Sequence, residues 1–421
     1  MNLDPPDLPS SYKLVPSSEI EQRLTLAQKA LCEADLDGLL ILQNIDRYYF
    51  TGTLQNGILW LPNQGAPVFW VRRSLKRARQ ESPLTNLRRQ PTETSKLEAE
   101  LRSVIAPQSH IGLEMDVVPA RLATRFQRLL PDSCQISDGS PLIRNLRASK
   151  SPYEISCIKK AASIMDQVME HGAAILTRGV SEVELMAELE HQARRLGHLG
   201  IVRMRSFNSE LFFGHAISGA EAARRGYLDA PTNGLGLSPA FSQGASANLL
   251  QEGVPISIDF MVNYEGYLAD MTRMLCLGDA PQTLCRAHHD LLTLNRELVA
   301  ILRPGNTCQE VFDRAQKLAQ DFGFADYFLG HGPDQVGFVG HGVGLEVDEF
   351  PFIARGNCML LKAGMVVALE PKLTFPPGHQ APSPYNQVPA SAITTETTYL
   401  ISEKTTQPLT LSPDKIKLIK R

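Results

Sequence analysis

The chain has 421 residues, 43% of them hydrophobic, which is enough to bury the cores of two or three ordinary domains. A formal charge of −3 provides no general basic field for nucleic acid, and no apolar run reaches the length of a membrane span. The opening MNLDPPDLPSSYKL is acidic and proline-rich, unlike a secretory leader, so a cytoplasmic protein is expected. Cys32, Cys134, Cys157, Cys276, Cys285, Cys308 and Cys358 are scattered and form no C-x-x-C pair. They read as reduced core thiols without a zinc or disulfide role.

Residues 1–145 alternate strand and helix signals and read as a small α/β domain, with 146–421 forming a second, α+β domain. Ser18-Glu19-Ile20-Glu21 is a capping-box pattern, predicting an amphipathic helix to about Cys32. LDGLLILQ (36–43) is strand-like, Tyr48, Tyr49 and Phe50 are expected in the core, and GILWLPNQGAPVFWV reads as two strands around Asn63-Gln64-Gly65. A linker, RNLRASKSPYE, ends in a cap, an N1 proline and an N3 glutamate at Ser151, Pro152 and Glu154. The helix that follows is predicted to reach about Leu176, with Ile155, Ile158, Ala162, Met165 and Met169 on one face.

The second domain repeats itself. Residues 175–197, ILTRGVSEVELMAELEHQARRLG, lie over 301–323, ILRPGNTCQEVFDRAQKLAQDFG, at an offset of 126. Both read as helix end, glycine, capping Ser181 or Thr307, then Glu184 or Glu310 three residues on, helix and glycine. The same offset carries FFGHAISG onto FVGHGVGL, setting His215 on His341, and Asp270 onto Glu396. A pseudo-twofold duplication is expected.

Between the repeats, ISIDFMVNYEGYLADMTR reads as a hairpin centred on Tyr264 and Glu265, which would place Asp259 directly opposite Asp270. Opposed like charges need a cation or a shared proton. The duplication gives this hairpin a counterpart bounded by Glu370 and Glu396, with a proline-rich loop containing much of FPPGHQAPSPYNQ between its strands. Four carboxylates and His341 then converge. Oxygen ligands with one imidazole suit a pair of divalent ions such as Mn, Co, Zn or Fe, and hydrolysis by an activated water is the natural reaction.

The stretches IDFMVNYEGYLADMTR, GHGVGLEVDEFP, ALEP and TTETTYLIS resemble, in order and spacing, the metal-ligand motifs of the pita-bread metallopeptidases. That family includes Xaa-Pro dipeptidases, aminopeptidase P, methionine aminopeptidase and creatinase, which lacks metal. LDGLLILQNIDRYYFTG and SKSPYEISCIKKA are similar to the leading domain and junction of its creatinase and prolidase branch. The resemblance implies Asp259, Asp270, His341, Glu370 and Glu396 as ligands of two divalent ions, and Glu370 as general base. It also implies a homodimer acting on a small peptide.

Three family features are missing. A second histidine seven residues after the first is replaced by Asp348, no histidine stands in LSPAFSQGAS before Asp259, and the usual Glu-Pro-Gly is Glu370-Pro371-Lys372. These departures favour a small non-peptide amide as the alternative substrate, and a non-catalytic metal-binding scaffold stands as the other alternative. His215 reads either as a buried core histidine or as a proton shuttle near the metals. His331 and His379 are expected on surface loops, and His288-His289 on a solvated helix face. Thr272 and Arg273 are expected to orient Asp270.

Overall fold

The computed structural model describes residues 8–420 apart from Ser206, Asp229 and Pro231. Of the acidic opening stretch, residues 1–7 lie outside the described residues. The chain divides into two compact units between Arg147 and Ala148.

In the first unit, β1 (Gly38–Ile41), β2 (Gly57–Pro62), β3 (Val68–Val71), β4 (Leu87–Arg89), β5 (His110–Leu113) and β6 (Gln135–Asp138) form one mixed sheet, ordered β4-β3-β2-β1-β5-β6 among the described residues. The first helix runs Ser17–Glu33, close to its expected span, but its cap is not the expected one. Pro16 is the N-cap and no side chain caps it, so the Ser18…Glu21 pattern falls inside the first turn. Tyr49 and Phe50 are buried, as is Trp70 of β3.

The second unit carries the duplication. Helix Pro152–Ile175 opens with a capping box between Ser151 and Glu154. The two repeated helices, Glu182–Arg195 and Cys308–Phe322, are opened by equivalent boxes, Ser181 with Glu184 and Thr307 with Glu310. Each box satisfies two otherwise orphaned donors and is a local event, which is why it can be read from four residues.

The strands repeat as well. β7 (Gly214–Ser218), β8 (Pro255–Tyr264) and β9 (Tyr267–Leu277) pair in that order, all antiparallel. In the second half β10 (Phe338–Gly342) pairs with β11 (Glu349–Ala354) on one side and β12 (Val366–Leu369) on the other. β13 (Lys372–Phe375) and β14 (Ser391–Thr394) form a separate ribbon, and 376–390 is the proline-rich connection between them. β15 (Thr397–Ile401) pairs with β12 and with β16 (Thr406–Pro408), while β17 (Lys417–Ile419) lies parallel to β9. The antiparallel order β7-β8-β9 thus matches β10-β12-β15, the strand form of the pseudo-twofold repeat and the architecture of the pita-bread fold.

One expected register is corrected. Tyr264 pairs with Tyr267, so the turn is Glu265-Gly266, and Asp259 stands opposite Thr272 while Met261 stands opposite Asp270. Both turn residues have positive φ, 52° and 92°, the requirement of the two-residue turns whose twist matches a hairpin. Because 259 and 261 share a face of β8, Asp259 lies diagonal to Asp270, on the same side of the sheet.

The expected location of four cysteines and one histidine also changes. Cys32, Cys285 and Cys358 are exposed, Cys134 is half-buried, and only Cys157, Cys276 and Cys308 are core thiols. His288 is buried, not solvated, because helix Gln282–Ile301 turns Leu284, Ala287, Leu291 and His288 inward together; His289 is exposed.

Candidate metal centre

Strand junctions set the acids. Glu370 follows β12 and its N–H donates to Val339 of β10 at 2.9 Å; Glu396 lies between β14 and β15, its N–H donating to Thr272 of β9. Thr272 and Arg273 act on Glu396 and not, as expected, on Asp270. Thr272 Oγ1 donates to Glu396 Oε2 at 2.6 Å, and the Arg273 guanidinium donates to the Glu396 carbonyl and to Thr397 Oγ1. Asp270 is fixed instead through its backbone, which exchanges hydrogen bonds with Thr398 Oγ1 at 3.0 and 2.7 Å.

His341 projects from β10 into the same space. Its Nδ1 lies 3.2 Å from the Gly342 carbonyl, which favours a proton on that nitrogen and turns Nε2 to the acids. Nε2 lies 3.4 Å from Glu370, 4.0 Å from Asp270 and 4.0 Å from Glu396. The loop after it is anchored by Glu349, which accepts from the N–H groups of Leu345 and Glu346 and pairs with buried Lys150 at 3.0 Å.

All six side chains named from the sequence, Asp259, Asp270, His341, Glu370, Glu396 and His215, line one cavity of about 910 Å³. Within it, single donor atoms of Asp270, His341 and Glu396 come within 4.8 Å of one another, the spacing a metal ion needs. Asp270 Oδ1 is buried without a hydrogen-bond partner. A buried carboxylate oxygen left unsatisfied is costly, and a cation is the partner that fits it. The donor set therefore suits a divalent ion on this side of the cluster.

The other side is different. Lys372, on β13, sends its ammonium to 2.6 Å from Glu370 Oε2 and 3.7 Å from Asp259 Oδ2, with a side chain only 3% exposed. Strand residues two apart point to the same side, so Glu370 and Lys372 enter the cavity together across Pro371. The sequence marks Lys372 as a departure from glycine but does not place it in the site.

Charges follow this division. Burial pushes Asp270 well above the carboxylate range, reinforced by Glu396 and Asp259, and burial with Asp259 and Glu370 raises Glu396 to about 8. Burial also acts to raise Glu370, but Lys372 and His341 outweigh it and hold that carboxyl near 2. Burial opposes charge on His341, yet its bond to Glu370 and the surrounding acids push it up to about 10. Burial likewise opposes the Lys372 ammonium, and Glu370, Asp259 and Glu396 overcome it, lifting the group above the ordinary lysine range.

His215 pairs across β7 and β8 with Asp259, and its Nε2 lies 3.9 Å from Asp259 Oδ2 without a hydrogen-bond partner. Burial lowers its pKa despite the nearby acid, so the imidazole is neutral at pH 7. The end of β7 is pinned by Glu182, which accepts from Ser218 and Ser246 through both backbone N–H and hydroxyl groups. Asp348 lines the cavity and accepts from the Arg205 N–H at 3.2 Å. His331 and His379 do not line it; both pack on Tyr327. Phe212 and Phe338, which open the two repeated stretches, and Arg225, Tyr227 and Phe352, which no motif marks, contribute to its wall.

An acid cluster at the junctions of a duplicated antiparallel scaffold, with a histidine and a cation-sized gap, defines a metallohydrolase-type site on a pita-bread fold. The match to metallopeptidase family M24 covers residues 156–403, and the match to the creatinase/prolidase N-terminal domain covers 23–149. The chain belongs to metallopeptidase family M24. It is 25% identical over 361 residues to a Xaa-Pro dipeptidase of Pyrococcus furiosus, covering 85% of this chain and 92% of that one. An uncharacterized peptidase of Staphylococcus saprophyticus is 30% identical over 264 residues, 62% of this chain and 66% of the other. Among solved structures, the Xaa-Pro dipeptidase from Bacillus anthracis superposes with a TM-score of 0.78 at 22% identity, covering 95% and 99% of the two chains. Dipeptidase PepE from Mycobacterium ulcerans gives 0.77 at 23%, covering 97% and 100%.

Proposed function

We propose that this chain is a metal-dependent hydrolase of small peptides of the Xaa-Pro dipeptidase kind. The observation that carries the reading is the convergence of Asp270, His341 and Glu396 beside Glu370 in one cavity. A divalent ion held there supplies Lewis acidity, polarising a scissile carbonyl and easing loss of a proton from water. Glu370 is ionised, the form in which a carboxylate accepts that proton. The walls contributed by Phe212, Met261, Val336, Phe338 and Phe352 suit an apolar side chain or a proline ring.

His215, neutral and beside Asp259, is assigned to relay a proton or to hold a substrate carbonyl through its ring N–H. The resemblance implies two ions of Mn, Co, Zn or Fe; Asp270, His341 and Glu396 suffice for one, and the place of a second depends on Lys372. The aspartate at 348 and the lysine at 372 favour a small non-peptide amide as the second substrate reading. A homodimer in the cytoplasm completes the proposal. Among the described residues no helix is long and apolar enough to cross a membrane.

The test is a panel of Xaa-Pro dipeptides, other dipeptides and small amides, assayed with Mn- or Co-loaded protein. Turnover of Xaa-Pro dipeptides supports the peptidase reading and turnover confined to amides selects the second. Absence of turnover in every panel, with metal bound, leaves the scaffold reading in its place.

A further inference from the structure

The Lys372 ammonium lies inside the acid cluster. It sits between Glu370 and Asp259, one from each half of the duplicated unit, at 2.6 and 3.7 Å. Nothing about its placement is loose. The Lys372 carbonyl accepts from Leu329, β13 pairs Lys372 with Thr394, and the residue is 2% exposed. Among the described residues no lysine or arginine forms an ion pair with the Asp270 or Glu396 carboxylate, whose neighbour is His341, and Asp270 Oδ1 lacks a partner.

We propose that Lys372 is a built-in cation of the site: its ammonium serves the Asp259 side, and a single divalent ion is held by Asp270, His341 and Glu396. Evicting the ammonium to admit a second ion would break its short contact with Glu370 and strand a buried charge, and losing one partner of such a pair is strongly destabilising. Asp259 becomes a partner of Lys372 and His215, not an ion ligand.

The proposal rests on the reading that this cavity binds a divalent ion, and the experiment separates the two. The full-length protein is loaded with excess Mn²⁺, desalted and analysed for metal per chain, with electron paramagnetic resonance reporting whether the ions are isolated or spin-coupled pairs. The wild type is expected to hold one isolated Mn²⁺ and Lys372→Ala two coupled ions. Asp259→Asn is expected to keep its one ion, and this variant decides the matter should Lys372→Ala fail to fold. A wild type carrying two coupled ions overturns the proposal and leaves the hydrolase reading intact. A wild type carrying none overturns both. A folded Lys372→Ala that still holds one ion, or loss of the ion from Asp259→Asn, also contradicts it.

Discussion

The two sides of the acid cluster are built from equivalent strands yet neutralised by different means. On one, Glu370 and Asp259 face the Lys372 ammonium; on the other, Asp270 and Glu396 lie about His341 and, among the described residues, form no ion pair with a lysine or arginine. Glu370 is accordingly held near 2 while Glu396 rises to about 8. The comparison teaches that a duplicated scaffold can supply matching acids in unlike surroundings, because one long side chain from a neighbouring strand reaches one pair and not the other; the proposal above follows from that difference.

The largest effect should come from Glu370, which touches both sides. Glu370→Gln preserves shape and removes the proton acceptor, so hydrolysis of any substrate found for the wild type should fall to background; surviving activity would assign the base elsewhere. Next is His215→Ala, expected to lower turnover by about a hundredfold, the lower end of general acid-base help, with metal content unchanged. If metal is lost as well, His215 supports the site structurally, and unchanged kinetics would return it to the core.

A smaller effect is expected at the hydroxyl that holds Glu396. Thr272→Val removes the 2.6 Å hydrogen bond and should weaken Mn²⁺ binding by about tenfold, the scale for partners that orient a ligand, measured by calorimetric titration. Unaltered affinity would mean the Arg273 contacts alone fix Glu396.

The smallest is a pH effect on stability after chelation. Glu396 and His341 have folded pKa values of about 8 and about 10, raised from ordinary values of 4.5 and 6.5. A raised folded pKa gives stability that is present below the unfolded value and lost as pH rises through the folded one. The melting temperature of chelated protein should therefore fall between pH 7 and 9, and added Mn²⁺ should flatten the fall. His198 and His288, lowered to about 4 by burial first, lose their contribution only as pH drops from 6.5 toward 4, outside that window. A chelated protein whose melting temperature is constant or rises from pH 7 to 9 would contradict the assignment.

Legibility in the sequence followed the range of the interaction. Capping boxes at Ser151, Ser181 and Thr307 were readable because donor and acceptor lie three residues apart. The repeat at offset 126 was readable because each copy carries the same helix ends and strand order, and it brought His215 and His341 to notice together. The Asp259 register was misread by a choice of turn: centring on Tyr264-Glu265 ignores the demand for two positive φ angles, which Glu265-Gly266 meets with a glycine at the second position. Burial of His288 depended on which face of its helix meets the core, a tertiary property. Lys372 was visible as a residue out of pattern, but where a four-carbon stem delivers its charge is decided by strands from both halves, Asp259 on β8 and the Glu370 junction.

The most direct test of the division between the two sides is a crystal structure of the Mn²⁺-loaded protein with anomalous data at the manganese edge. One anomalous peak is predicted among Asp270, His341 and Glu396, with the Lys372 ammonium still between Glu370 and Asp259. Two peaks a few ångströms apart, with Lys372 turned out of the cavity and Asp259 on the second ion, would contradict it.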